Sequence, residues 1–342
     1  MALQPGEGPI RSSTYLPAEP SAVLWGRLPC ATDSPVLTID SGTEVTVDTI
    51  SHEGILEDQG RDPRRFFAQF GDHEVLDDAI ALAASAYDRE DGGPHVVTGP
   101  IRVEGALPGD LLKITVVETL QRVPYGVISN RHGRGALPTG EHEPFSVFAE
   151  SDGEYGSMPT AGRDVRFPLN PFLGIMGVAV SGNRRLHSVP PGPHGGNIDI
   201  NLLTVGSSLY LPVQVAGALA YVGDPHFAQG DGEVALTAME ASLRATLRFE
   251  VVPHSASVEM FGQLAGPLAE TSEYLVPTGM NEDLDVAVQD CVRAAIALLQ
   301  ARYGLDSTHA YAYLSAATDF NISQVVDLVK GVHARIRKSD FS

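Results

Sequence analysis

A dense scatter of glycine and proline, 35 and 24 residues respectively, cuts most of this chain into short apolar runs. Runs of that length bounded by Gly, Pro, Asp and Ser are the pattern of strands joined by turns. Residues 22–25, 36–39 and 44–50 come first, and the last of these, EVTVDTI, alternates apolar and polar side chains with the period of a half-buried strand. PIRVEGA and LLKITVVETL follow, separated by the turn signal Pro108-Gly109 and rich in β-branched residues that suit a pleated sheet. Further strands are expected at 164–167, 174–180, 197–202, 208–215, 233–241 and 244–252. Closely spaced strands of this kind predict a β-rich, mainly antiparallel body, sandwich or barrel-like.

Three segments depart from that pattern. Residues 1–20 read as an irregular arm. Residues 51–94 run through the charged loop EDQGRDPRR into LDDAIALAASAYDRE, whose alanines and leucines favour a helix. This excursion reads either as a lid or interface element or as a peripheral insertion, and His52 and Glu53 at its start either approach a site or form a surface pair. Residues 124–164 show little periodicity, and Asn130, His132 and His142 in it are expected to cover or line a pocket.

The last quarter is different again. Leu284, Val288, Cys291, Val292, Ala295, Leu299 and Tyr303 recur at helical steps. Asn281 is placed to cap that helix, acids occupy its first turn, and Gly304 ends it. A second helix is expected from Ser307 and a third near Asn321, where Asp319 and Gln324 also read as caps, before VHARIRK closes as a strand. The expected organisation is a β-rich body over 1–275, with its helical excursion at 51–94, and a C-terminal α/β portion over 276–342 packed on the same body.

Charge and cysteine content narrow the class. A formal charge of −20 repels nucleic acid and anionic membrane surfaces, so neither is an expected partner. Cys30 and Cys291 are the only cysteines, too few for a disulfide framework. The opening MALQPGEGPIRSSTYLP lacks the pattern of a secretory signal, and no run reaches the ~18 apolar residues of a membrane span. The expectation is a cytoplasmic protein.

Chemistry concentrates between residues 190 and 233. Two Gly/Pro-rich loops, 192–199 and 223–233, flank the strand expected at 208–215. They carry His194 and His226, the acids Asp199, Asp224, Asp231 and Glu233, and the amides Asn197 and Gln229. Asp224 and His226 are two apart and share a face if extended. Each histidine also admits a structural hydrogen-bonding role, and carboxylates in such loops often cap turns.

GPHGGNIDI, TVGSSLYLPVQV and GDPHFAQGDGEV resemble signature segments of the acetamidase/formamidase family. VTGPIRVEGALPGDLLKITV, PFLGIMGVAV, YAYLSAATDFNISQVVD and GVHARIRKSDF extend the resemblance over nearly the whole chain in one order. The resemblance implies hydrolysis of a short linear amide to carboxylate and ammonia, with a cyclic amide as an alternative substrate. A non-catalytic metal- or ligand-binding scaffold is the rival class.

Four routes to amide hydrolysis can be weighed on the residues. Cys291 lies on the apolar stripe of a helix, and Cys30 sits in no nucleophile motif. Lys113, Lys330 and Lys338, the only lysines, lack the Gly/Ser run of a serine–lysine site. No G-x-S-x-G elbow exists. The remaining route is metal-activated water, with zinc on His194, Asp199, Asp224 and His226 and an additional calcium as a further possibility. Glu233, or Asp231, is then the candidate acid/base, and Asn197, Gln229 and Asp319 are candidate substrate contacts. The apolar residues 216–221 and Phe227 are candidates for setting substrate length. The expected partners are a small amide and further copies of the chain, in a homo-oligomer of two or more.

Overall fold

The computed structural model describes residues 2–341 except Asp88, Glu90, Arg131, His132 and Pro138, so the expectation for His132 lies outside the described residues. Two large sheets, mainly antiparallel, dominate. One has nine strands in the order Tyr15–Leu16, Thr43–Asp48, Leu243–Val252, Leu111–Gln121, Ser208–Pro212, Leu268–Glu270, Tyr274–Asn281, Lys330–Arg337 and Asp319–Gln324. In the other, Val165–Pro168, Tyr155–Met158, Ser146–Ser151, Tyr125–Ser129, Met239–Glu240, Ala220–Ala228, Phe172–Val178 and Gly195–Asn197 follow in order. There Val96–Val103 also pairs with Ala220–Ala228, and carries Val23–Trp25 and Leu37–Ile39.

The inward faces of both sheets share one core. Val45, Val47, Leu112, Ile114, Leu247 and Phe249 come from the first, and Ile101, Met176, Val178, Val222 and Phe227 from the second. The alternation read from the sequence is what such a two-layer packing requires, because each strand presents every second side chain to the core.

The C-terminal helices cover the other end of the nine-stranded sheet. Leu284–Tyr303 packs Ala295, Leu298 and Leu299 against Leu275 and Ile336, with Leu314 of the helix Ser307–Ala317 in the same cluster. Gly279 permits this approach, since a Cβ there would collide with the carbonyl of Ala287 and the backbone of Cys291. Asp283 caps the long helix, accepting from the Val286 N–H, and Asn281 instead accepts from the Asp283 N–H. Gly304 ends it at φ 68°.

Several local expectations change. Ala220–Ala228 is a nine-residue strand, although Gly223, Asp224 and Pro225 read as loop. The expected strand at 233–241 shrinks to Met239–Glu240, and that at 197–202 is replaced by Gly195–Asn197. Residues 124–164 contain three strands. The third helix expected near Asn321 is the strand Asp319–Gln324, because pairing with Lys330–Arg337 overrides local capping chemistry. The helix His254–Phe261 and the strand Tyr274–Asn281 carried no local signal strong enough to read.

A buried ion network ties the arm to the body. Arg244, 1% exposed, forms a two-pronged bond to Asp48 at 2.6 and 3.0 Å and donates to the carbonyls of Gln4, Glu7 and Pro9. Arg122 donates to the carbonyls of Leu3 and Thr49 and forms an ion pair with Asp78 at 2.8 Å. Removing Arg244 would leave the buried Asp48 with only the Tyr15 hydroxyl and a 3.5 Å contact to Arg122, and the arm unanchored. Arg244→Ala is therefore expected to lower unfolding free energy by about 3–5 kcal/mol in urea titrations. It should also expose residues 2–12 to limited proteolysis; unchanged stability would show that the network is dispensable.

Candidate metal centre

The long strand Ala220–Ala228 changes neighbours along one edge. Gly223 pairs with Val97 of Val96–Val103, and His226 pairs with Glu240. Asp224 sits at that hand-off with φ 52°. Asp199 and Glu233 also adopt left-handed backbone, at 46° and 48°. Such conformations in non-glycine residues persist where surrounding structure enforces them, and they gather at functional sites.

The side chains of these residues converge with two histidines from other elements. His226 Nε2 lies 3.2 Å from Asp224 Oδ2 and 3.0 Å from Glu240 Oε1. His52 Nδ1 and His95 Nε2 each lie 3.8 Å from Asp224 Oδ1, and His226 Nδ1 is 4.0 Å from Asp199 Oδ1. His52, His95 and Asp224 form one set able to hold a cation, Asp224, His226 and Glu240 a second, and Asp199, His226 and Glu233 a third. All are buried.

These atoms are close but are not hydrogen-bonded to one another. His52 Nδ1, both ring nitrogens of His226, Asp224 Oδ1, Glu240 Oε2, both oxygens of Asp199 and Asp327 Oδ2 lack a hydrogen-bond partner. Buried polar atoms left this way are costly unless something else satisfies them. Opposed lone pairs aimed at common points, with no alignment along N–H bonds, are what ligand sets around a cation require. The outer shell fits: His95 Nδ1 is 3.1 Å from Ser188 Oγ, which leaves Nε2 facing Asp224. His52 Nε2 is 3.5 Å from Glu53, itself held by Gln59.

Electrostatics follow from crowding. Burial raises the carboxyls of Asp199, Glu233 and Asp327 well above the ordinary range, and their neighbours' charges raise them further. Glu240 is raised chiefly by burial. Burial pushes Asp224 the same way, but the imidazoles of His95, His226 and His52 outweigh it and hold the carboxyl well below its usual value. Burial lowers His95 to about 4. For His226, Glu240 and Asp224 overcome burial and raise the imidazole.

The cluster floors a cavity of about 270 Å³ whose lining includes Leu56, Asn197, Glu233, Leu236, Val326 and Leu328. The 51–94 excursion reaches the same cavity through His52, Leu56, Asp58, Arg89, Gly92 and Gly93.

The structure thus brings together Asp199, Asp224, His226 and Glu233, with Asn197 on the cavity wall. His194 is buried with Nε2 unpaired, and burial lowers it to about 4, but it joins none of the three sets. Asp231 accepts from Asn201, Asn321 and Arg335 outside the cavity lining. Gln229 donates to the carbonyls of Asp199 and Ser323, which makes it a brace for the Asp199 turn. Asp319 is exposed opposite Arg335. Asn130 accepts from the Phe145 N–H, and His142 is exposed; neither lines the cavity. His95, Glu240 and Asp327 escaped the sequence reading. Glu240, an acid between Met239 and Ala241 in an apolar run, and the His95 imidazole after Gly92-Gly93-Pro94 were the available signals.

Fold and centre together define a β-sandwich protein with a buried imidazole–carboxylate cluster at the base of a small-molecule cavity. Residues 73–188 and 180–336 match the Acetamidase/Formamidase family, and the chain belongs to that family. It is 29% identical over 253 residues to a putative formamidase of Schizosaccharomyces pombe, an overlap covering 55% of this chain and 61% of that protein. Against an acetamidase of Mycolicibacterium smegmatis it is 30% identical over 199 residues, 41% of this chain and 49% of the relative. The chain therefore spans between about half and three fifths of those relatives' lengths. The crystal structure of an acetamidase from Bacillus halodurans superposes with a TM-score of 0.76 at 27% identity, over 96% of this chain and 98% of that one.

Gly174 gives a direct test of the cluster. A Cβ there would collide with Asp199 Oδ1, Asp224 Oδ2 and the His226 ring. Gly174→Ala is expected to weaken divalent-metal binding by about 10–100-fold, the range for disturbing ligand orientation. Competition with a chromophoric chelator measures it; equal affinity would show that the three side chains do not act together.

Proposed function

We propose that this chain hydrolyses the C–N bond of small linear amides, releasing a carboxylate and ammonia at a centre that holds a divalent metal, zinc in the simplest case. The observation that carries the reading is the set of buried, unpartnered ligand atoms gathered around Asp224 on the cavity floor. Membership of the family supports the reaction class. His52, His95, Asp224, His226 and Glu240 are the ligands assigned; imidazole and carboxylate suit zinc. The oxygens of Asp199, Glu233 and Asp327 beside them form the acid-rich part where an additional calcium would sit. Bound there, the metal supplies a polarising charge for the amide carbonyl and a lowered pKa for water.

The remaining steps fall to the chain's own groups. Glu233 faces the cavity beside the Asp199–His226 set and is assigned the proton transfer from the attacking water to the leaving nitrogen. Asn197, whose buried Oδ1 lacks a partner, is assigned to accept from the substrate N–H. Leu56, Val189, Leu236, Val326 and Leu328 provide apolar wall for the acyl group. Neither a serine nor a cysteine is among the described cavity-lining residues, which supports water as the nucleophile. Ser208 Oγ instead bonds Thr115, Ser207 Oγ the Thr204 carbonyl, and Cys291 is buried under its helix. Cys30 and Cys291 are both free and buried, which fits a cytoplasmic setting.

Ammonia release from formamide, acetamide and propionamide by metal-loaded protein, abolished by chelation and restored by zinc, is the expected result. Glu233→Gln should lower kcat by about 10²–10⁴-fold while zinc content stays unchanged. An inert wild-type protein, or a Glu233→Gln variant with full kcat, would contradict the assignment.

A further inference from the structure

Floor and mouth of the cavity differ in sign. Of the lining residues, Asp224, Glu233, Glu240 and Asp327 are buried and form the floor, whereas the half-buried Arg89 and His187 and the exposed Arg134 form the mouth. Arg89 is already engaged: its guanidinium bonds the Glu57 carboxylate and the Gly93 carbonyl and lies 5.2 Å over the Trp25 ring. Asp58 also lines the cavity. Arg134 is exposed and has no carboxylate partner among the described residues. After burial, the nearby charges of Arg27, Arg134 and Arg89 hold the His187 imidazole below its ordinary value, so three guanidinium groups crowd one wall. A neighbouring cavity continues the trend, sharing Arg89 and adding Arg27, Arg184 and Arg185, the last paired with Asp33. In a chain of net charge −20, guanidinium groups are thus gathered at the mouth of the site, and Arg134 is the one there without a carboxylate partner among the described residues.

Formamide or acetamide gives Arg134 nothing to bind and fills little of the 270 Å³. That volume approaches the roughly 300 Å³ at which pockets begin to hold drug-sized ligands. A molecule with an amide at one end and a carboxylate at the other answers both observations. The guanidinium at the mouth attracts its carboxylate, which leaves the amide end for the floor.

We propose that the preferred substrate is a monoamide of a short dicarboxylic acid, whose free carboxylate is held by Arg134 at the mouth while its amide lies over the floor. This rests on the hydrolase reading above. The bond broken is the same C–N bond: water adds, ammonia leaves, and the product is a dicarboxylate.

The test compares malonamate, succinamate and glutaramate with their neutral diamides on the metal-loaded full chain. For at least one pair, kcat/KM for the anionic amide should exceed that for its diamide by about tenfold or more, the scale of one charged hydrogen bond. That ratio should fall about tenfold in Arg134→Gln, recover in part in Arg134→Lys, and shrink as salt is raised. Ratios near one for all three pairs, or ratios untouched by Arg134→Gln, would overturn the proposal while leaving amide hydrolysis standing. If no amide is turned over, the hydrolase reading fails, and calorimetry with succinate decides the remainder. Binding at least about tenfold tighter to wild type than to Arg134→Gln supports a carboxylate site; equal binding overturns it.

Discussion

Mutual repulsion among buried carboxyl groups is the constraint around which this molecule is arranged. Asp199, Asp224, Glu233, Glu240 and Asp327 are each at most 7% exposed, and each perturbs at least one of the others. Like charges at such range cannot all ionise in a low-dielectric interior without a compensating cation. The imidazoles of His52 and His226, both raised by the acids around them, offset part of the charge, but their unpaired nitrogens compete for the same space. A divalent metal would resolve both problems at once, satisfying lone pairs and neutralising the acids.

The fold keeps those groups from relaxing apart. His226 and Glu240 are direct cross-strand partners, so ladder hydrogen bonds fix their separation. Asp224 is held where its strand passes from one neighbour to the next, a position at which left-handed backbone and a following proline cost the ladder least. Phe172 packs edge-on to the His226 ring from the opposite neighbour at 5.1 Å. Asp199 is fixed through its backbone, by its N–H to the Gly174 carbonyl and its own carbonyl to Gln229. Beneath all this lies the packed interface of two sheets, which does not yield cheaply to a displaced side chain.

How much was legible in the sequence depended on whether the determinants were local. Thr43–Asp48, Leu111–Gln121 and Leu243–Val252 announced themselves by β-branched residues, alternation or turn residues at their ends, and the long C-terminal helix by its apolar stripe. Ala220–Ala228 did not: eight of its nine residues are buried, so alternation is absent, and Gly223–Pro225 mimic a turn. Asp319–Gln324 is polar enough to resemble a helix start, and only its partner Lys330–Arg337 makes it a strand. For the centre, Asp224 and His226 were readable because spacing alone puts them together. His52, His95 and Glu240 arrive from distant parts of the chain, and nothing local marks two stretches as neighbours in a sheet. His194 shows the converse, a histidine in a site-like loop that the backbone directs elsewhere.

The most direct measurement is anomalous diffraction from crystals of the metal-loaded protein, collected on both sides of the zinc absorption edge. The account predicts anomalous density among Asp224, His226 and Glu240 or between Asp224 and the rings of His52 and His95. Density at His194 instead, or a centre in which these side chains close up into aligned hydrogen bonds with no metal among them, would contradict it.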